Sequence, residues 1–556
     1  MAGRGNVFVG KAAFKTATPR LLFICIVYAF GSVFFGYDSA SFSGVQAFSP
    51  FLRQFGTYSA KKNAYALTTQ NSALLNSLPL LGKLVGSLAV GPSVERYGHR
   101  VTMLGTCLIQ IAGAVVQVTS TKTAQFVVGR LLVYLAVGFV ENVVPTYQSE
   151  IAPGALRGFF VGSIQLCLTF GSLMAGLVNN AMAGRTDNTG WQIATAIQVV
   201  PPVLILLALP WTPLSPRWLV FQDREDEALA VLEAVRRPAD VDAGVCALEL
   251  AAMREDAARR CQDRWRTKGP WSDLVRGTNR RRTNIAVGLM SLQQLTGVTF
   301  SSSYGPTFYK SEGLGRMAFA YAAINNGVSV VTALLGMVVL DLFGRRSVTL
   351  HGCWTQGVFL ALIGALGSKA RPSPGETGGM VASFILYAAI LHMSLGPAAY
   401  ITAAEVGTGA LREKTMAVAT AVNVVVSFAV VYTTPYLLAD LGAKLAYLWM
   451  AFAFAGAVYV WFVMPELTGR TLEEIDQLFE SRIAAWRFAA FETTGLTHDV
   501  AAIEQGLAPS KLAGDLELVQ ATNVARTGQM AEEGTEGTEG TPAAPAPTAK
   551  GREDEI

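Results

Sequence analysis

Stretches of apolar residues long enough to cross a ~30 Å hydrocarbon layer as a helix, about 20 residues each, recur twelve times along this chain. They fall at roughly 21–46, 68–90, 100–119, 124–147, 158–181 and 191–211, and again at roughly 284–308, 317–341, 347–367, 380–402, 415–438 and 445–464. The composition agrees: 51% of the 556 residues are hydrophobic and only 15% are charged, where a soluble domain carries about 25% charged residues. The expected fold is therefore an all-α membrane protein with twelve transmembrane helices. The first apolar run is too long for a signal peptide and leads straight into further spans, so it reads as a permanent helix. A net charge of +4 on a chain of this length implies no basic surface for nucleic acid. The six cysteines show no paired spacing, which points to neither a disulfide framework nor a metal site. No nucleophile–base constellation stands out, so the reading is not an enzyme and needs no cofactor.

The spans form two sets of six. "VERYGHR" (94–100) is answered by "LDLFGRR" (340–346), "SEIAPGALRG" (149–158) by "AEVGTGALRE" (404–413), and "PLSPRWL" (213–219) by "PELTGRTL" (465–472). Each echo follows the equivalent helix about 250 residues later, so the spacing predicts a duplication into two six-helix halves. Carriers built from such repeats bind their substrate near the bilayer midplane, between the halves. The expected segments are a 1–20 N-terminus, a 21–211 bundle, a 212–283 linker, a 284–464 bundle and a 465–556 tail, low in complexity and disordered after about 525. Helical spacing in "DREDEALAVLEAVRR" and "TLEEIDQLFE" predicts short amphipathic helices outside the spans. Twelve spans put both termini on one side. Arg217, Arg224, Arg276, Arg280, Arg281 and Arg282, close to the ends of the central segment, place that side in the cytoplasm.

The repeated motifs carry matched charges: Glu95, Arg96, Glu150 and Arg157 in the first half, Asp341, Arg345, Glu405 and Arg412 in the second. Charges at helix mouths, repeated in both halves, read as a gating network that holds helix ends together while the inner side is shut. The plainer reading of the same residues is anchoring at the membrane surface. Polar groups also lie at depth: Gln165, Gln293, Gln294, Thr299, Tyr304, His392, Tyr400 and Asn423. Neutral amides and hydroxyls both donate and accept hydrogen bonds, which suits a polyhydroxyl ligand. Phe35 and Tyr400 offer aromatic faces for the C–H side of a sugar ring. Helix–helix adhesion is the alternative use of such groups.

Taken in order, "GYD", "ERYGHR", "PTYQSEIAPGALRG", "PLSPRWL", "QQLTG", "DLFGRR", "GPAAY" and "PELTGRTLEEI" resemble the sugar porter family of the major facilitator superfamily, from about Leu21 to Phe479. "ERYGHR" and "LREKT" are similar to fungal hexose and α-glucoside permeases. The resemblance places Gln165, Gln293, Gln294 and Asn423 on sugar contacts, and His392 where some members carry a sugar-binding Glu. Leu214, Thr299 and Tyr400 depart from the family's usual Glu, Asn and Trp. Asp38 falls where the family has its proton acceptor, and a charge at that depth costs at least ~2.5–3.5 kcal/mol to insert. Arg130 is the partner that could face it. The near-midplane acid and its Arg imply proton symport, because facilitators tend to carry Asn at this position. Lys83 lies close enough to a helix end to snorkel and is given no role. The expectation is a monomeric plasma-membrane carrier whose partners are a sugar, protons and the lipid bilayer, the sugar being a hexose or small glucoside. Alternatives are a carrier for another polyhydroxylated solute, such as quinate or a polyol, and a sugar-sensing transceptor.

Overall fold

The computed structural model describes residues 18–490, apart from 60–63, 153, 243, 245, 248, 252, 255–270, 312–313, 316, 370–372, 408–410, 469–471 and 482. The proposed disordered tail and the first 17 residues lie outside this set. Helix α1 is Pro19–Val45, α2 Ser49–Phe55, α3 Thr69–Ser77, α4 Pro79–Val118, α5 Thr123–Ile151, α6 Gly154–Met182, α7 Thr189–Ala196 and α8 Val200–Ala208. Three short helices follow, α9 Pro216–Phe221, α10 Glu225–Val235 and α11 Pro238–Asp242. The second set is α12 Gly277–Leu295, α13 Val298–Ser311, α14 Met317–Phe343, α15 Arg345–Gly367, α16 Pro374–Met393, α17 Leu395–Val406, α18 Arg412–Leu441 and α19 Leu445–Val463, with α20 at Leu472–Glu480.

Nine helical stretches among the described residues are long and apolar enough to cross a membrane. Two of them, Thr69–Val118 and Lys414–Val463, run for 50 residues. At 1.5 Å per residue that is about 75 Å, far more than a ~30 Å core, so each holds two crossings. The chain reverses at Gly98 (φ 76°) in the first and at Gly442 (φ 55°) in the second. The broken pair α12 and α13 supplies the twelfth crossing. Along α4, Leu81, Val85, Leu88, Leu104 and Leu108 are exposed. In water such a stripe invites aggregation; in a bilayer it is the lipid-facing surface.

Helices within a half meet through small residues. A Cβ on Gly36 of α1 would run into the Leu168 carbonyl of α6, and one on Gly171 of α6 into the Val33 carbonyl of α1. Gly82 and Gly86 of α4 stand equally close to the Leu131 and Leu135 carbonyls of α5, and Gly138 of α5 to the Lys83 carbonyl of α4. Lipid offers no hydrophobic drive for helix pairing, so close van der Waals approach has to supply it.

Two crossings are discontinuous. Between α12 and α13 the chain breaks at Thr296 and Gly297, and the freed Thr296 carbonyl accepts a 2.7 Å hydrogen bond from the Tyr387 hydroxyl of α16. Between α16 and α17 it breaks at Ser394, whose hydroxyl donates to the Ile390 carbonyl at 2.6 Å. Such breaks survive in a membrane only where neighbouring side chains satisfy the freed groups.

At one end the halves are joined. Gln46 Nε2 donates to the Ser303 carbonyl (2.5 Å), Lys310 Nζ to the Ala47 carbonyl (2.5 Å), and Phe48 packs on Phe319 with centroids 5.3 Å apart. Phe42, Phe51, Phe55, Phe126 and Trp191 extend this plug. A small antiparallel hairpin, β1 Thr57–Ser59 with β2 Ala64–Ala66, sits beside it; this addition to the all-α expectation lies in a polar loop with no alternating apolar run to announce it. At the other end α10 forms where its spacing predicts and buries Ala228, Leu232 and Val235. The linker is tied down by Thr18 Oγ1 donating to the Val235 carbonyl (2.7 Å) and Arg236 Nη1 donating to the Ile151 carbonyl (2.9 Å). Helix α20, also expected, buries Ile475, Leu478 and Phe479, and the Arg282 guanidinium lies 4.4 Å from the Phe479 ring centroid.

The close crossing of α1 and α6 is testable. Gly171→Val forces backbone apart from backbone, an overpacking that costs about 1–3 kcal/mol or more, and is expected to lower the thermal midpoint of the detergent-solubilised protein. Gly105→Ala, at a site with nothing within 4 Å of its Cβ, should leave the midpoint unchanged or raise it. Equal midpoints for both variants in size-exclusion thermostability would refute this account of the packing.

Candidate transport site

Asp38 and Arg130 face each other from α1 and α5. Arg130 Nη2 lies 3.5 Å from Asp38 Oδ2, and their side chains are 2% and 3% exposed. The guanidinium also donates to the Tyr134 hydroxyl at 3.2 Å and stacks 3.7 Å from the Phe42 ring centroid. Its Nε and Nη1 have no hydrogen-bond partner among the described residues. The two charges thus meet at the outer limit of a hydrogen bond, sealed from water, with aromatic faces supplying the rest of the cation's surroundings.

In the second half the predicted amides join in one network. Gln293 and Gln294 close α12, just before its break. Gln293 Nε2 donates to the Gly396 carbonyl (2.9 Å), and Gln294 Nε2 to Asn423 Oδ1 of α18 (3.3 Å). Asn423 Nδ2 donates to the Met290 carbonyl (2.8 Å) and to Gln293 Oε1 (3.3 Å). Gln294 Oε1 and Thr299 Oγ1 are buried with no hydrogen-bond partner among the described residues. Tyr304 is buried, and its hydroxyl donates to the Val431 carbonyl at 3.1 Å, so in this form it serves the helix packing. Across the divide, Gln165 Nε2 of α6 lies 3.4 Å from His392 Nδ1 of α16.

Lys83 does not snorkel. It is 7% exposed, and its Nζ pairs at 3.0 Å with Glu141 Oε1 of α5. The same oxygen accepts from the Tyr400 hydroxyl of α17 at 3.1 Å, and Lys83 Nζ lies 5.0 Å from the Phe35 ring centroid. Asp38 and Arg130 are therefore not the only buried charges of the first half. Glu141 escaped the sequence reading because it stands alone in "VENVVP", and its cation is 58 residues away on another helix. Only the α4–α5 contact brings the two together.

The repeated charges behave differently in the two halves. Arg345 pairs with Glu405, and Glu466 caps α15, its Oε1 accepting from the Arg345 N–H (2.9 Å) and its Oε2 from the Arg346 N–H (3.1 Å). In the first half His99 replaces Arg345, with its Nε2 3.7 Å from Glu150, and Leu214 replaces Glu466. Glu150 instead accepts from the Ser215 hydroxyl (2.5 Å). Trp218 covers the Gly98 turn, with its indole donating to the Glu95 carbonyl at 3.2 Å. The Glu95 and Arg96 side chains are exposed, and the Arg96 guanidinium lies 5.3 Å from the Tyr97 ring. The structure does not bring these two into contact with Glu150. The side chains of Arg157, Asp341 and Arg412 lie outside the described residues.

Comparison with known proteins gives the same answer from three directions. Residues 24–479 match the family described as sugar (and other) transporter. The chain is 30% identical to the major facilitator-type transporter EcdD of Aspergillus rugulosus, covering 83% of this chain and 88% of that one. It is 28% identical to a high-affinity glucose transporter, Ght2, of Schizosaccharomyces pombe, covering 86% and 91%. Among solved structures it superposes on the proton:xylose symporter XylE bound to 6-bromo-6-deoxy-D-glucose, with TM-score 0.68, 24% identity and 99% of that chain covered. A family match over nearly the whole membrane bundle, two halves of six helices and a buried polar seam between them lead to one conclusion: this chain belongs to the sugar transporter family of the major facilitator superfamily.

Proposed function

We propose that this sugar transporter is a proton-coupled symporter that imports a hexose or a small glucoside across the plasma membrane by alternating access, with both termini in the cytoplasm. The observation that carries the coupling is the sealed Asp38–Arg130 pair, 3.5 Å apart. A carboxylate removed from water keeps its charge only while a cation faces it. Motion that parts α1 from α5 leaves Asp38 to take up a proton, and re-approach of Arg130 expels it. One proton thus crosses per cycle.

The amides Gln165, Gln293, Gln294 and Asn423 bind the hydroxyls in this reading, with Thr299, Tyr304 and His392 completing the polar lining and Phe35 and Tyr400 walling the ring. Gln294 Oε1 and Thr299 Oγ1, buried and unpartnered among the described residues, are acceptors for a ligand donor. The glucose transporters among the relatives support a hexose. The end that Gln46, Lys310 and Phe48 shut is the outer gate, and the Arg345–Glu405 ion pair and the His99–Glu150 contact belong to the inner one, with Arg157, Asp341 and Arg412. A second reading, a carrier for another polyhydroxylated solute, draws on the same lining, since the amides and the ion pair beside Tyr400 can meet hydroxyls on other frames as well.

Uptake of labelled D-glucose, D-xylose, D-fructose, maltose and quinate by a hexose-carrier-null host separates these readings, and uptake of none of them refutes both. Asp38→Asn is expected to abolish accumulation against a gradient while sparing downhill exchange. A mutant that still concentrates sugar would show that Asp38 does not couple. Gln293→Ala removes a built donor at a cost of about 1–3 kcal/mol, about a five- to hundredfold rise in KM, at unchanged surface level. Loss of folded protein in step with loss of transport would instead make Gln293 a packing residue.

A further inference from the structure

The coupling pair and the amide network leave two buried charges without a task. Lys83 and Glu141 sit on α4 and α5, which already meet backbone to backbone at Gly82, Gly86 and Gly138, so the helices do not depend on an ion pair to hold them together. The pair lies among groups assigned to the substrate. Lys83 stands over Phe35, and Glu141 accepts from Tyr400. Tyr400 lies one helical turn beyond Gly396, whose carbonyl binds Gln293. A carboxylate accepts about four hydrogen bonds over its two oxygens. Here Oε1 accepts both Lys83 and Tyr400, while Oε2 is buried with no hydrogen-bond partner among the described residues.

We propose that Glu141, paired with Lys83, is a specificity-determining acceptor for two adjacent hydroxyls of the substrate, and that the Tyr400 hydroxyl is the internal group those hydroxyls displace. This rests on the reading of the site as a sugar carrier. Two vicinal hydroxyls span both carboxylate oxygens, as one tyrosine cannot, and charge-assisted hydrogen bonds of this kind are the stronger ones. Tyr400 belongs to the second half and Glu141 to the first. Displacing the tyrosine therefore removes a bond between the halves at the moment the substrate is seated. A site built to hydrogen-bond a hydroxyl rejects the analogue that lacks it, because its own polar group is left unpaired.

The test uses the full-length carrier in the null host, with D-glucose and its monodeoxy analogues as probes. The double variant Lys83→Met/Glu141→Gln removes both charges together and leaves no unpaired ion. It is expected to raise KM for D-glucose about tenfold, with maximal rate per folded carrier within about twofold, and to lose the parent's discrimination against deoxygenation at one pair of neighbouring positions only. Tyr400→Phe keeps the ring and removes the competitor, so KM should fall. If the double variant keeps the parent's deoxy profile, or if both variants raise KM with the profile unaltered, the pair is packing and the proposal is overturned. Should the double variant fail to fold, Glu141→Asp, which keeps the charge and withdraws it by one methylene, must alter discrimination at those positions or the proposal falls. A parent that takes up no D-glucose overturns the hexose reading and this inference with it. A parent that takes it up, with the profile indifferent to Glu141, overturns this inference alone.

Discussion

A peptide group in hydrocarbon has no water to bond with, and from that cost the arrangement of this molecule follows. Helices satisfy the backbone internally, and at the two broken crossings a side chain from another helix covers an opened carbonyl: Tyr387 that of Thr296 and Gln293 that of Gly396. The same cost forbids stray charge. The ionic groups at depth therefore come in pairs, Asp38 with Arg130 and Lys83 with Glu141. Breaks and pairs both lie at the seam between the halves, which is where a carrier needs polar surface. The lipid-facing side of α4, by contrast, is bare leucine and valine.

The crossings were legible because each is a long apolar run, and the duplication because its three signatures recur in order. The amphipathic helices α10 and α20 were legible from their period. Asp38 announced itself as one acid in an otherwise apolar helix. Glu141 did not. It stands beside Asn142, its cation sits on another helix, and Lys83 read alone is indistinguishable from a lysine reaching for the membrane surface. Pairings between helices depend on which faces meet, and the glycines that set those faces, Gly82, Gly86 and Gly138, are only three among 54 in the sequence. The partial dispersal of the Glu95–Arg96 motif has a similar cause: a matching motif fixes where a charge enters the chain, while the turn at Gly98 decides where it points.

The two halves solve one structural problem with different chemistry. Each has a reversal at a glycine of positive φ, Gly98 at 76° and Gly344 at 85°, a conformation that side chains with a Cβ rarely adopt. Behind Gly344, Glu466 gathers two backbone N–H groups at the start of α15, where an anion also complements the helix dipole. Behind Gly98 there is Leu214, which can accept nothing, and a tryptophan ring closes the turn instead. One half is fastened by ionic hydrogen bonds, the other by an aromatic lid and a serine. These equivalent ends of the two halves are thus held by contacts of unequal strength.

The two discontinuous helices are cross-tied. Tyr387, on the near side of one break, holds the open carbonyl at the other, while Gln293, on the near side of that second break, holds a carbonyl just past the first. Bending α12 against α13 stretches both of these hydrogen bonds unless α16 and α17 shift with it, so neither break can open without a cost at the other.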